Sequence, residues 1–134
     1  MKAHRSLVYA IAAAAVLSLS APILAHHSLT AEFNTDKTVQ LQGTITEMKW
    51  SNPHGWLYIN VKDDKGQVKN WAVEFASPNT LYRRGWTKAD LPIGALVSVT
   101  GYPSRDNGPR VSATDVKLPD GRTLFAGMQQ GGKE

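Results

Sequence analysis

The chain has 134 residues, 42% of them hydrophobic, no cysteine, and a formal charge of +4 from 15 basic and 11 acidic side chains. That length supports one domain with one core and leaves no room for a second substrate domain. The lack of cysteine removes disulfide scaffolds, thiolate zinc sites and thiol nucleophiles together, and no stretch reaches the roughly 18 to 20 apolar residues that a bilayer span needs.

The first elements in chain order are those of a secretory leader. Lys2 and Arg5 give a basic start, Ser6 to Ser20 an alanine-rich apolar run, and Ala21-Pro22-Ile23-Leu24-Ala25 a small-residue exit. Pro22 ends the run, which disfavours an anchored amino-terminal helix. Cleavage after Ala21 would leave proline first, so the expected site is the bond between Ala25 and His26. Residues 1–25 are read as a cleaved signal peptide. Lys2 and Arg5 leave with it, the charge falls below +4, and no Lys/Arg block remains. The exported domain then has to rely on a packed core.

Residues 26–37 read as an extended amino-terminal arm. Thr38 to Trp50 is rich in β-branched residues; Val39, Leu41 and Ile45 share one face, Met48 and Trp50 the other. That change of parity, with Gly43 in the middle, predicts a bent or bulged strand serving two sheet surfaces. After Ser51-Asn52-Pro53-His54-Gly55, the run Trp56 to Lys62 alternates, the turn Asp63-Asp64-Lys65-Gly66 follows, and Gln67 to Phe75 returns. This is a hairpin. Ser77 as cap, Pro78 at the first helical position and Gly85 past the end predict a short helix.

Ala95 to Tyr102, Arg110 to Leu118 and Thr123 to Phe125 read as further strands, and residues 128–134 as a flexible tail. The order is mainly β: a five- to six-stranded OB-like barrel over residues 38–127, with one short helix between the third and fourth strands. A seven-strand sandwich needs more strands than the sequence offers.

Cleavage after Ala25 would expose His26, followed by His27. A terminal amine with a pKa near 8 can lose its proton to a competing metal, and amine and imidazole of one residue then chelate one ion. Imidazole nitrogens suit copper, zinc or nickel. His54, in the first interstrand loop, is the remaining histidine of the mature chain. His26, His27 and His54 are therefore the candidate metal ligands, with copper or zinc as the candidate cofactor; Glu32 and Asp36 are the carboxylates nearest His26 and His27 in sequence. The spacing matches no stringent zinc motif, and a solvated chain end with a turn histidine is the competing reading.

His54, Trp56 and Tyr58 share a parity opposite to Leu57, Ile59 and Val61, which makes Trp56 and Tyr58 a candidate ligand or partner patch, or a surface that packs under the arm or the helix. Trp50, Trp71 and Trp86 belong to the core or its rim. Glu47 and Glu74 sit in strands, where solvation is the ordinary expectation. Arg83-Arg84 and Lys62, Lys65 and Lys69 read as solvated faces, so nucleic acid is not an expected partner. No Gly-x-Ser-x-Gly elbow, phosphate loop or His-Glu-x-x-His helix is present.

Several segments together resemble a family of small exported proteins of Gram-negative bacteria, classed only as a domain of unknown function. They are His26-His27-Ser28 with Phe33, Leu41 to Ile45, Trp50 to His54, Trp71 to Glu74, Leu81 to Trp86 and Asp120-Gly121-Arg122. More distantly the chain resembles bacterial periplasmic OB-fold proteins. The resemblance implies a periplasmic β-barrel and brings no reaction, ligand or catalytic residue. The resulting expectation is a periplasmic binding protein, more a binder than an enzyme, that holds a metal through histidines. The alternative is an envelope protein-interaction module without metal, and a copper-dependent oxidoreductase ranks third.

Overall fold

In the computed structural model, which describes residues 29–128, the alternating segments become strands close to their expected bounds. Helix α1 (Leu29–Glu32) precedes β1 (Val39–Lys49), β2 (Trp56–Lys62) and β3 (Val68–Glu74). Helix α2 (Pro78–Arg83) and a 3-10 turn at Lys88–Asp90 lead into β4 (Leu96–Pro103), β5 (Arg110–Lys117) and β6 (Thr123–Phe125). The strand order is β3-β2-β1-β4-β5-β6, and β5 also pairs with β3, which closes the first five strands into a barrel. Every ladder is antiparallel except that closing one, in which Ala72, Val73 and Glu74 stand opposite Arg110, Val111 and Ser112. A closed five-stranded barrel with a helix between β3 and β4 is the OB plan expected from the sequence. β6 adds a sixth strand along the second half of β5.

β1 works for two neighbours. Its first half pairs with β4 and its second half with β2. The ladder to β2 shifts register between Ile45 and Glu47. One extra residue there turns the following side chains over, so Ile45 faces the core while Met48 and Trp50 pack on its margin. The irregularity thus falls at Thr46 and not at Gly43. Gly43 answers a different demand, because a Cβ there would lie 2.7 Å from the Asn60 carbonyl oxygen.

Inward residues of all five barrel strands form one core, among them Ile45, Leu57, Ile59, Val73, Val97, Val99, Val111 and Val116. The segment after β3 closes it. Ser77 caps α2 by accepting from the Thr80 N–H, Pro78 occupies the first turn, and Gly85 follows with a positive φ of 91°. This brings Leu81 and Trp86 into the core. The Trp86 indole N–H donates to the Phe125 carbonyl at 2.9 Å, and its ring lies 5.5 Å from that of Phe75.

The arm expected as extended chain over residues 26–37 is instead helical at Leu29–Glu32. Its carbonyls are taken from a distance: Arg105 Nε donates to the Thr30 oxygen at 2.7 Å, and the Arg105 N–H to the Glu32 oxygen. Phe33 is 1% exposed and bridges to Ser104. Met128, read as part of the tail, lines a cleft described below. The segment expected as a signal peptide, His26, His27 and residues 129–134, the rest of the expected tail, lie outside the described residues. Among the described residues no helix is long and apolar enough to cross a membrane.

Barrel closure requires β4 and β5 to approach closely at Gly101, where a Cβ would sit 2.2 Å from the Ser112 carbonyl oxygen. Gly101→Ala is expected to lower stability by about 1–3 kcal/mol, read as a lower urea midpoint with an unchanged slope. An unchanged midpoint would contradict this approach.

Candidate functional site

His54 is positioned by the end of the β2–β3 hairpin. Gly55 N–H donates to the Ala76 oxygen and Phe75 N–H to the Gly55 oxygen, which extends the ladder one step past Trp56. Ser51 Oγ donates to the His54 carbonyl at 2.9 Å and folds the loop back, and the Asn52–Pro53 bond is cis. With the parity of Trp56, the His54 side chain emerges on the outer face of the barrel. There it lies diagonal to Glu74, the register partner of Trp56, within reach of a histidine.

His54 Nδ1 makes a short hydrogen bond to Glu74 Oε1. The two groups differ in exposure: the imidazole side chain is 32% exposed and the carboxylate side chain 6%. Glu74 is therefore not the solvated strand residue expected from its outward parity. Burial pushes its pKa above the ordinary carboxylate value; His54 and Arg110 pull the other way, and Glu32 adds to the rise. Among the described residues its second oxygen, Oε2, is buried without a hydrogen-bond partner.

The amino-terminal segment lies against the neighbouring strands β4 and β5. In the closing ladder Glu74 stands beside Ser112, and Ser112 pairs with Tyr102 of β4. Leu29 of α1 lines a cleft of about 310 Å³ together with Tyr102, Ser112, Thr114, Phe125 and Met128. Glu32 lies 3.5 Å from Arg110, whose guanidinium sits over the Phe33 ring. The helical turn thus rests on the outer face of β4 and β5, one strand away from the His54–Glu74 pair.

Trp56 and Tyr58 are half-buried on the same face, with register partners Lys49 and Glu47 on β1. The Lys49 ammonium sits 5.0 Å from the Tyr58 ring centre and covers part of it. Trp50 stacks instead on Tyr82 of α2, with centroids 5.4 Å apart. The structure brings His54, Trp56 and Tyr58 onto one face. Among the described residues no three of His, Asp and Glu stand close enough to hold a metal ion, so any centre at His54 needs donors from outside residues 29–128.

The sequence reading missed Glu74. The signal that finds it is the hairpin register, which sets it opposite Trp56 and two residues from His54.

Residues 13–112 match a family described as a family of unknown function (DUF6152), and the chain belongs to it. No curated protein matches the chain in sequence. It is similar to the solved structure of the mitochondrial single-stranded DNA binding protein Rim1 of S. cerevisiae. That likeness has 15% identity and a TM-score of 0.48, and covers 62% of this chain and 93% of that one. It is similar also to the N-terminal domain of PriB from Thermoanaerobacter tencongensis, described as dimeric. There the identity is 19% and the TM-score 0.42, over 62% of this chain and 96% of that one.

The raised pKa of Glu74 has a consequence for stability. A carboxyl whose folded pKa exceeds its unfolded one contributes most below the unfolded value, and the contribution is lost as pH rises through the folded value. Glu74→Gln is therefore expected to raise the thermal midpoint at about pH 7.5 and to lose that advantage near pH 4. An equal offset at both pH values, measured by calorimetry, would contradict a destabilised carboxylate.

Proposed function

We propose that this family member is a small exported binding protein of the periplasm that holds a transition-metal ion, copper or zinc, through His26, His27 and His54. The observation that supports this reading is convergence on one barrel face. Leu29 and Ser112 line one cleft, Ser112 is the register neighbour of Glu74, and Glu74 is paired with His54. His27 and His26 precede Leu29 in the chain by two and three residues.

The donor chemistry fits the same ion. Imidazole nitrogens are ligands for Cu(II) and Zn(II). After cleavage at Ala25 the amine of His26 adds a nitrogen that can chelate together with its own ring. Binding would tie the amino-terminal segment to the first interstrand loop and cover Trp56 and Tyr58.

The test uses protein exported by its own leader and purified without an amino-terminal tag. Intact mass is expected to show cleavage before His26. Titration calorimetry is expected to give one Cu(II) or Zn(II) per chain, weakened at least about tenfold by His26→Ala and by His54→Ala, about 1.4 kcal/mol each. Binding unaffected by His54→Ala would contradict the shared site. No binding at all would leave the Trp56 and Tyr58 face to the alternative, a docking surface for an envelope protein.

A further inference from the structure

The structure assigns the Asn107–Gly108 peptide as a latent deamidation site, which Asp106 keeps unreactive while the loop between β4 and β5 is closed. Modification at Asn107 then records opening of that loop.

Reactivity comes from the sequence. Asn107 is the one asparagine of the chain that precedes a glycine; the others precede Thr, Pro, Val or Trp. Glycine has no side chain to shield its backbone nitrogen. In deamidation the Gly108 nitrogen gives its proton to hydroxide and bonds to the side-chain carbonyl carbon of Asn107. The bond from that carbon to the side-chain nitrogen breaks, and ammonia leaves with a proton taken from water. Water then opens the succinimide ring at either carbonyl, which gives aspartate or isoaspartate at position 107. Water is the one co-reactant, and Asn107 is exposed to it.

The closed loop opposes each step. Gly108 N–H donates to Asp106 Oδ1 at 2.8 Å, and Ser104 Oγ donates to the same oxygen at 2.6 Å. The Ser104 hydroxyl first, and then the Gly108 N–H, hold the Asp106 carboxyl below the usual carboxylate range. An anion that accepts from the Gly108 N–H disfavours loss of that proton. Asn107 has a φ of 59°, the one positive value outside glycine among the described residues. In that left-handed region ψ lies at about +30 to +60°, which sets the Gly108 nitrogen on the opposite side of the backbone from the Asn107 side chain. Ring closure needs both on one side, so ψ has to turn by roughly half a revolution. Asn107 N–H donates to the Ser104 oxygen, Arg110 N–H to the Gly108 oxygen and Ser104 N–H to the Arg110 oxygen. These bonds forbid the turn until the loop opens.

The same loop anchors two other parts of the fold. Ser104 bridges to Phe33, Arg105 N–H donates to the Glu32 oxygen, and the Pro109 oxygen accepts from Ala72 N–H where the β3–β5 ladder begins. Opening therefore loosens α1 and the first rung of barrel closure together. An isoaspartyl product adds a methylene to the backbone of the turn and a second carboxylate beside Asp106, so the original closed turn is not regained.

Peptide mass spectrometry of the full-length chain, aged at mildly alkaline pH in buffer and in guanidinium chloride, tests this. Deamidation at Asn107 is expected to be at least about tenfold slower in buffer than in denaturant. Asp106→Ala is expected to speed it about tenfold in buffer, the weight of one hydrogen bond to a charged group, and Asp106→Asn, which keeps an acceptor, to speed it less. Thermal melts establish that each variant is folded. No deamidation in denaturant would overturn the site, and equal rates in buffer and denaturant would overturn its protection by the fold. A wild-type rate in folded Asp106→Ala would overturn the role of Asp106.

Discussion

The parallel pairing of β3 with β5 carries both the barrel and the candidate site. It closes the sheet by setting Val73 against Val111 inside, and the same two residues of register set Glu74 against Ser112 outside. Because side chains alternate across a strand, the core contact and the outer-face contact cannot be chosen independently. Closure therefore fixes how far His54, held by the β2–β3 hairpin, stands from the segment that enters over β4 and β5. No other ladder links those two regions so directly.

The stability logic of this arrangement is uneven. Inside the barrel, branched aliphatic side chains from five strands pack without charge, and the burial of Leu81 and Trp86 from the α2 region completes the core. Outside, one carboxylate is buried with one oxygen unpaired among the described residues. The barrel tolerates this because apolar burial dominates folding free energy.

Much of the fold was legible in the sequence because its signals are local. The alternation in Trp56 to Lys62, the cap at Ser77 and the glycine at 85 each act within a few residues, and the strands and α2 lie close to where they point. Parity in β1 announced a bulge, but its position at Thr46 depends on how β2 pairs with it, which parity alone does not encode. Helix α1 was not legible, since the groups that receive its carbonyls come from Arg105, 75 residues beyond Thr30. The candidate site was half legible. His54, Trp56 and Tyr58 follow from type and parity. Glu74 was hidden because outward parity ordinarily means water, and here the carboxylate side chain is only 6% exposed.

The proposed function stands or falls on one ion shared by His26, His27 and His54. Paramagnetic broadening by substoichiometric Cu(II), followed in amide spectra of the leader-processed protein, reads that geometry residue by residue. Resonances of Leu29 to Phe33, Gly55 to Tyr58 and Glu74 should fade together, while those of Val68 and Lys117 persist. Broadening confined to the first residues of the chain, with the hairpin end untouched, would contradict it.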